Sequence, residues 1–181
     1  YQTVFARQNG SAAAPTASLH FTDDVFKSLD AKHIERLFIT LHVGLGTFAP
    51  VSAKNISEKK LHEEWYEVPE NTFQCNTSLD HEKKRLVAVG TTVVRTLESI
   101  SLSLRAKRSN LIKIATSADV RRLPRNDIIN KTDLFIYPPY EFKIVDHLIT
   151  NFHLPGSSLM MLVEAFLRYK KAKRSLIDLY E

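Results

Sequence analysis

Thr150, Asn151, His153, Ser157 and Ser158 fall together in the stretch from Thr150 to Met161. The rest of that stretch reads as the end of an apolar strand, a tight loop and the start of an apolar helix. Neither strand alternation nor helix amphipathicity requires an amide, an imidazole and hydroxyls there. Polar groups gathered where a strand gives way to a helix commonly form a site able to bind a polar ligand or move a proton. The same residues also fit an ordinary turn, with Pro155 and Gly156 as punctuation and Ser157 or Ser158 capping the helix.

Four further groupings carry possible chemistry. His42-Val43-Gly44-Leu45-Gly46-Thr47 sets an imidazole at the C-terminal end of a strand beside a glycine loop. Ligands bind at that end in α/β sheets, and a histidine there can serve as acid, base or donor. Gly90-Thr91-Thr92 follows a strand and opens a helix, a geometry that offers backbone N–H groups to an anion. It is neither a Walker loop nor a dinucleotide fingerprint, and plain capping accounts for it as well. His62-Glu63-Glu64 lacks the second histidine of a His-Glu-x-x-His zinc motif, because Tyr66 stands there. With no cysteine pair, no metal site is expected; the carboxylates could orient a cation, act as bases or lie on an exposed edge. Ala13 to Thr22, with Thr16 and His20, sets small residues, a proline and a histidine ahead of a helix.

These groups need elements to position them. Thr22 followed by Asp23 and Asp24 predicts a helix start, with Val25, Phe26 and Leu29 as its apolar stripe. Leu37–Val43, Trp65–Val68, Arg85–Val89, Asp133–Tyr137 and Phe142–Val145 read as strands. Helices are expected from Thr91 and from about Ser158, and only a weak one between Asn71 and Lys84. Alternating strands and helices predict an α/β layer architecture.

At 181 residues, 44% apolar and 25% charged, the composition is that of an ordinary globular domain. The single cysteine, Cys75, excludes an internal disulfide framework. No basic-then-apolar leader opens the chain, and its longest apolar region is broken by Asn151, His153 and Pro155, so neither a secretory signal nor a membrane span is expected. The chain opens on Tyr1, not Met, as though mid-pattern, which suggests a piece of a longer protein. The net charge of +5 is local: Leu104–Asn126 holds seven basic residues and one acidic, and the remainder is close to neutral. Such a patch could meet phosphate. It lacks the aromatic residues that stack bases, so a solvated loop accounts for it equally.

Taken together, several segments resemble one enzyme family. They are Tyr1–Phe5; Ala13–Phe21; Thr40–Phe48; His62-Glu63-Glu64 with Glu67-Val68; Ala88–Thr92 with Arg95 and Leu97-Glu98-Ser99; Asp133–Ile136; and Thr150–Met161. They resemble, in order, the S-adenosylmethionine:tRNA ribosyltransferase-isomerases of queuosine biosynthesis, over most of the chain outside roughly residues 103 to 130.

The resemblance implies a cytoplasmic enzyme that uses S-adenosylmethionine as a ribosyl donor and needs no metal. The ribosyl group is transferred to and isomerised on 7-aminomethyl-7-deazaguanine at the tRNA wobble position, giving epoxyqueuosine with release of adenine and methionine. It also implies an α/β domain paired with a small β-barrel. Taking a proton from carbon beside a sulfonium needs a base, and expelling adenine needs an acid; each role is worth on the order of 10²–10⁴-fold. His20, His42, Glu64 and His153 are the protonic candidates. Thr16, Gly44, Gly46, Thr47, Gly90, Thr91, Thr92, Arg95, Asn151, Ser157 and Ser158 are the candidates for substrate binding, the Gly90–Thr92 turn with Arg95 for the donor's carboxylate or a tRNA phosphate.

The chain departs from the family pattern in four ways. The N-terminal portion, with the β-barrel, is missing ahead of Tyr1; Ser18 stands where a glycine is expected; a basic insertion lies at about 103–130; and the aromatic-Ser-Tyr-Gly-Asp ending is absent. The expectation is therefore the C-terminal part of an α/β catalytic domain, working with a separately encoded N-terminal half. Other readings are an inactive remnant, poorly soluble by itself, and an RNA-binding module acting through the basic segment.

Overall fold

The computed structural model of the chain describes residues 1–44, 46, 50–72, 84–109 and 128–181. In chain order its elements are α1 (Asp23–Ala31), β1 (Thr40–His42), α2 (Ala53–Glu58), β2 (Lys60–Val68), β3 (Val87–Val89), α3 (Thr91–Ser109), β4 (Ile128–Leu134), β5 (His147–Ile149) and α4 (Ser158–Tyr169), with short 3-10 turns at Thr16–His20 and Ile177–Leu179. Thr47, the weak helix expected between Asn71 and Lys84, and most of the basic segment lie outside the described residues.

Two sheets share one helix. β1, β2 and β4 form an antiparallel sheet in the order β1-β2-β4, and β3 pairs with β5 in parallel. Along β2, alternate side chains face opposite ways. Glu64, Tyr66 and Val68 turn toward α3, where Tyr66 and Val68 pack on Ile100 with Leu41 and Ile128 beside them. The other side of α3 presents Val94 and Leu97 to Ala88 of β3, to Ile136, Phe142 and Val145, and to Leu162 and Ala165 of α4. α3 thus joins both cores, and the architecture is mixed α/β.

Local chemistry sets the element ends. Thr22 caps α1 by accepting the Val25 N–H at 3.4 Å, as its sequence predicts. Ser157 caps α4 through the Met160 N–H at 3.2 Å. Gly90 sits at φ +103°, in the region that favours glycine, and its N–H reaches the Ile149 carbonyl at 2.8 Å. That bond extends the β3–β5 pairing by one step and turns the chain into α3.

Four strand expectations shift. The apolar run Leu37–Val43 is a strand only over Thr40–His42, and Arg85–Val89 only over Val87–Val89. β2 extends five residues earlier than Trp65, through an irregularity in register between Lys60 and Glu64. β4 begins at Ile128, ahead of Asp133 and within the segment expected to be inserted, because that stretch pairs with Glu64–Val68. Phe142–Val145 is not a strand. The N–H groups of Lys143, Ile144 and Val145 donate to the buried Glu98 carboxylate at 3.0 to 3.3 Å, so a side chain takes the place of a ladder. Helix α2 is an addition, closed by a capping box between Ser52 and Asn55.

Candidate active site

Arg95 and Glu64 are the centre of the polar architecture. The Glu64 carboxylate points from β2 toward α3, and its Oε2 accepts from Arg95 Nη1 at 2.6 Å. Both residues are buried. Arg95 Nε donates to the Leu134 carbonyl at 3.2 Å, which ties the guanidinium to the end of β4. Nη2 is also buried and has no hydrogen-bond partner among the described residues. Burial pushes the Arg95 pKa below its usual value, and the Glu64 carboxylate opposes that shift. One turn along α3, Ser99 Oγ donates to the Arg95 carbonyl and lies 2.5 Å from Thr132 Oγ1, the residue opposite Glu64 in register. The pair is thus held from two strands and a helix.

Arg95 lines a small cleft together with Gly46, Pro50, Val51, Asn55, Leu61, His62 and Ser158. Its volume is about 10 Å³, room for about one water. Gly46 lies against the His62 ring so closely that a Cβ there would come within 2.5 Å of it. Only glycine fits that contact. Ser158, buried, is the first residue of α4. Thr91, also buried, lies four residues before Arg95 and so on the same side of α3.

A second polar group stands at the C-terminal ends of the parallel strands. The register Val89↔Ile149 brings Gly90 level with Thr150, so the Gly90–Thr92 turn and the Thr150–Ser157 loop leave the sheet side by side. Thr92 and Asn151 are half-buried there. His153 Nε2 lies 3.0 Å from Thr150 Oγ1, and burial lowers its pKa below the usual imidazole value. The backbone of His153 is held twice by Tyr180, whose hydroxyl accepts its N–H at 2.7 Å and donates to its carbonyl at 3.0 Å. Phe152 packs edge-on to the Tyr180 ring.

The remaining candidates stand elsewhere. The His42 ring is 4.8 Å from the Trp65 ring and presses on Gly10, whose φ is +132°. Because His42 pairs with Trp65 and not with Glu64, it projects from the opposite face of the antiparallel sheet. Thr16 and His20 are exposed on their 3-10 turn, and Gly44 is exposed beyond β1. The structure therefore gathers Gly46, Arg95 and Ser158 around one cleft, with Glu64 held against Arg95. It sets Gly90, Thr91, Thr92, Asn151, His153 and Ser157 along the adjoining sheet edge, and leaves His42 apart.

Sequence reasoning weighed the His62-Glu63-Glu64 group but carried only Glu64 forward as a candidate, although the place of His62 two residues before Glu64 was a usable signal. It also missed Tyr180, 27 residues from His153, for which no local signal exists. Among the described residues no group of three His, Cys, Asp or Glu side chains is arranged to hold a metal, and no helix is long and apolar enough to cross a membrane.

A sequence model described as "Queuosine biosynthesis protein" matches residues 1–178. The chain belongs to the queuosine biosynthesis protein family. Within that family it is 50% identical, over 92% of its length, to the S-adenosylmethionine:tRNA ribosyltransferase-isomerase of Thermosipho melanesiensis, and covers 44% of that protein. The enzyme of the same name from Staphylococcus epidermidis is 48% identical, again over 92% of the chain and 43% of the relative. Among solved structures, S-adenosylmethionine tRNA ribosyltransferase from Thermotoga maritima superimposes with a TM-score of 0.57 at 40% identity, over 85% of the chain and 42% of that protein. The chain thus spans under half the length of the family members it matches, a partial α/β domain of the family.

Proposed function

We propose that this chain supplies the C-terminal share of a site that moves the ribosyl group of S-adenosylmethionine onto a tRNA base. In this reading the acceptor is the aminomethyl group of 7-aminomethyl-7-deazaguanine at the wobble position. The product is epoxyqueuosine-tRNA, and adenine and methionine leave. Residues 1–181 form the C-terminal part of one α/β catalytic domain, and the basic stretch between α3 and β4 is an insertion. The protein works in the cytoplasm with a separately encoded N-terminal half, and no metal has a role.

The observation that carries this reading is the buried Arg95–Glu64 pair beside a cleft bounded by β2, α3 and the start of α4. Chemistry on a cationic sulfonium carrying a carboxylate calls for fixed charges of both signs near the reacting centre, in surroundings poor in water. Two proton transfers are needed, one from carbon beside the sulfonium and one to adenine. His153 stands at the strand ends, half-buried and hydrogen-bonded through Nε2, and its lowered pKa leaves the ring neutral at pH 7, able to accept a proton. Glu64, engaged by Arg95, suits holding charge; as the base it would first have to leave that contact. His20 and His42 remain candidates that reach substrate only through parts beyond this sheet face.

The experiment is to mix the chain with a separately expressed N-terminal part of a family member, then add S-adenosylmethionine and tRNA bearing the aminomethyl base. Adenine release that needs both protein parts and the modified tRNA is the expected result. A correctly assembled pair that binds both substrates yet releases no adenine would leave the remnant reading in its place.

A further inference from the structure

We propose that Arg95 divides its guanidinium between two partners, with Nη1 fixing Glu64 and Nη2 reserved for one oxygen of a substrate anion. The identity of that substrate rests on the function proposed above; the anion site itself rests on the geometry.

Arg95 is 2% exposed, so its donors cannot turn to bulk water. Two of them are engaged, Nε by Leu134 and Nη1 by Glu64. Nη2 is buried and unpartnered among the described residues. Leaving a buried charged donor unsatisfied is costly, and folded proteins rarely retain one without a use. Arg95 also lines the cleft that it shares with Gly46, Asn55, Leu61, His62 and Ser158. With the other two nitrogens directed to protein partners, Nη2 is the donor left without one, in a residue that borders that space.

Size and charge then select the ligand. A volume of about 10 Å³ admits one oxygen atom, not a whole nucleoside. Ser158 opens α4, a twelve-residue helix whose N-terminal end carries partial positive charge. A guanidinium N–H and a helix N-terminus both favour an oxyanion and disfavour a cation. The fitting chemistry is a carboxylate or phosphate oxygen that inserts singly while the rest of its molecule lies outside. In the proposed reaction two groups qualify: the amino-acid carboxylate of S-adenosylmethionine and a phosphate of tRNA.

Binding measured on the assembled protein by titration calorimetry distinguishes them without requiring turnover. If the carboxylate enters, the wild-type protein binds S-adenosylmethionine about tenfold more tightly than decarboxylated S-adenosylmethionine. Arg95→Lys keeps a charge for Glu64 but lacks the second fork nitrogen, and it abolishes that preference. If a tRNA phosphate enters, Arg95→Lys weakens tRNA instead and lowers its salt slope by about one. Thermal melts establish that the variant is folded. Should it not fold, the wild-type protein still decides the carboxylate arm by comparing methionine with methioninol, and Ser158→Ala decides the phosphate arm by its tRNA affinity. Equal affinities in both arms overturn the proposal, and a buried water then satisfies Nη2. Binding differences that persist without adenine release uphold the anion site and reject the reaction.

Discussion

Glu64 stabilises the fold by being charged opposite Arg95, and removing either partner strands the other. A buried ion pair broken on one side typically costs about 3–5 kcal/mol, whereas replacing both partners by apolar groups of similar volume is often close to neutral. Glu64→Ala is therefore expected to lower the unfolding free energy by about that amount, while the double change Glu64→Leu with Arg95→Met recovers most of it. Urea titration of the three proteins checks this; equal losses in the single and double variants would mean that the pair is not the source. His153 makes a second residue-scale prediction. Its folded pKa lies below the unfolded value of about 6.5. Above that pH both states are neutral there and the residue adds no pH dependence. As the pH falls below it the unfolded chain takes the proton first, so stability declines through the folded pKa. His153→Gln should flatten the stability profile below about pH 6.5 relative to the parent chain.

At the scale of elements, the loop from Thr150 to Ser157 owes part of its shape to a single hydroxyl far along the chain. Tyr180→Phe keeps the ring against Phe152 but removes both bonds to the His153 backbone. It is expected to cost about 1 kcal/mol and to speed amide exchange across 152–156 while leaving α4 unchanged. Exchange rates measured by mass spectrometry test this directly. Helices were legible in the sequence wherever a cap and a stripe coincide, as at Thr22 with Phe26 and at Ser157 with Leu162. Strands were less so. Phe142–Val145 has the composition of one, but its N–H groups belong to Glu98, more than forty residues earlier, and no local pattern records that partnership. The start of β4 hid inside a basic stretch because its pairing with β2, not its own composition, makes it a strand. The site shows the same division. Gly90, Arg95 and Glu64 announce themselves by type, while the face on which His42 stands depends on register, which the sequence pattern leaves open.

For the molecule as a whole, the parallel pair β3–β5 is covered on one side only. Ala88 is buried, but Val87 and Ile149 are 47% and 46% exposed, and register sets them on one face with the exposed His147. Parallel strands are ordinarily covered on both faces. Phe152 and Leu154, at 73% and 80% exposed, extend the apolar surface past the strand ends. The 181-residue chain alone is expected to bind a hydrophobic dye such as anilinonaphthalene sulfonate and to lose that signal when the N-terminal part of a family member is added. Unchanged fluorescence on addition would mean that this face is not where the two parts meet.

Helix α3 has one more consequence. Its nineteen residues rise about 28 Å as a single rod, with one sheet fastened to each side. A swivel of one sheet against the other would have to slide it across the side chains packed on that rod. Shape change during a reaction cycle therefore falls to the connecting segments, and spin labels on β2 and β5 should report one fixed separation whether or not substrates are bound.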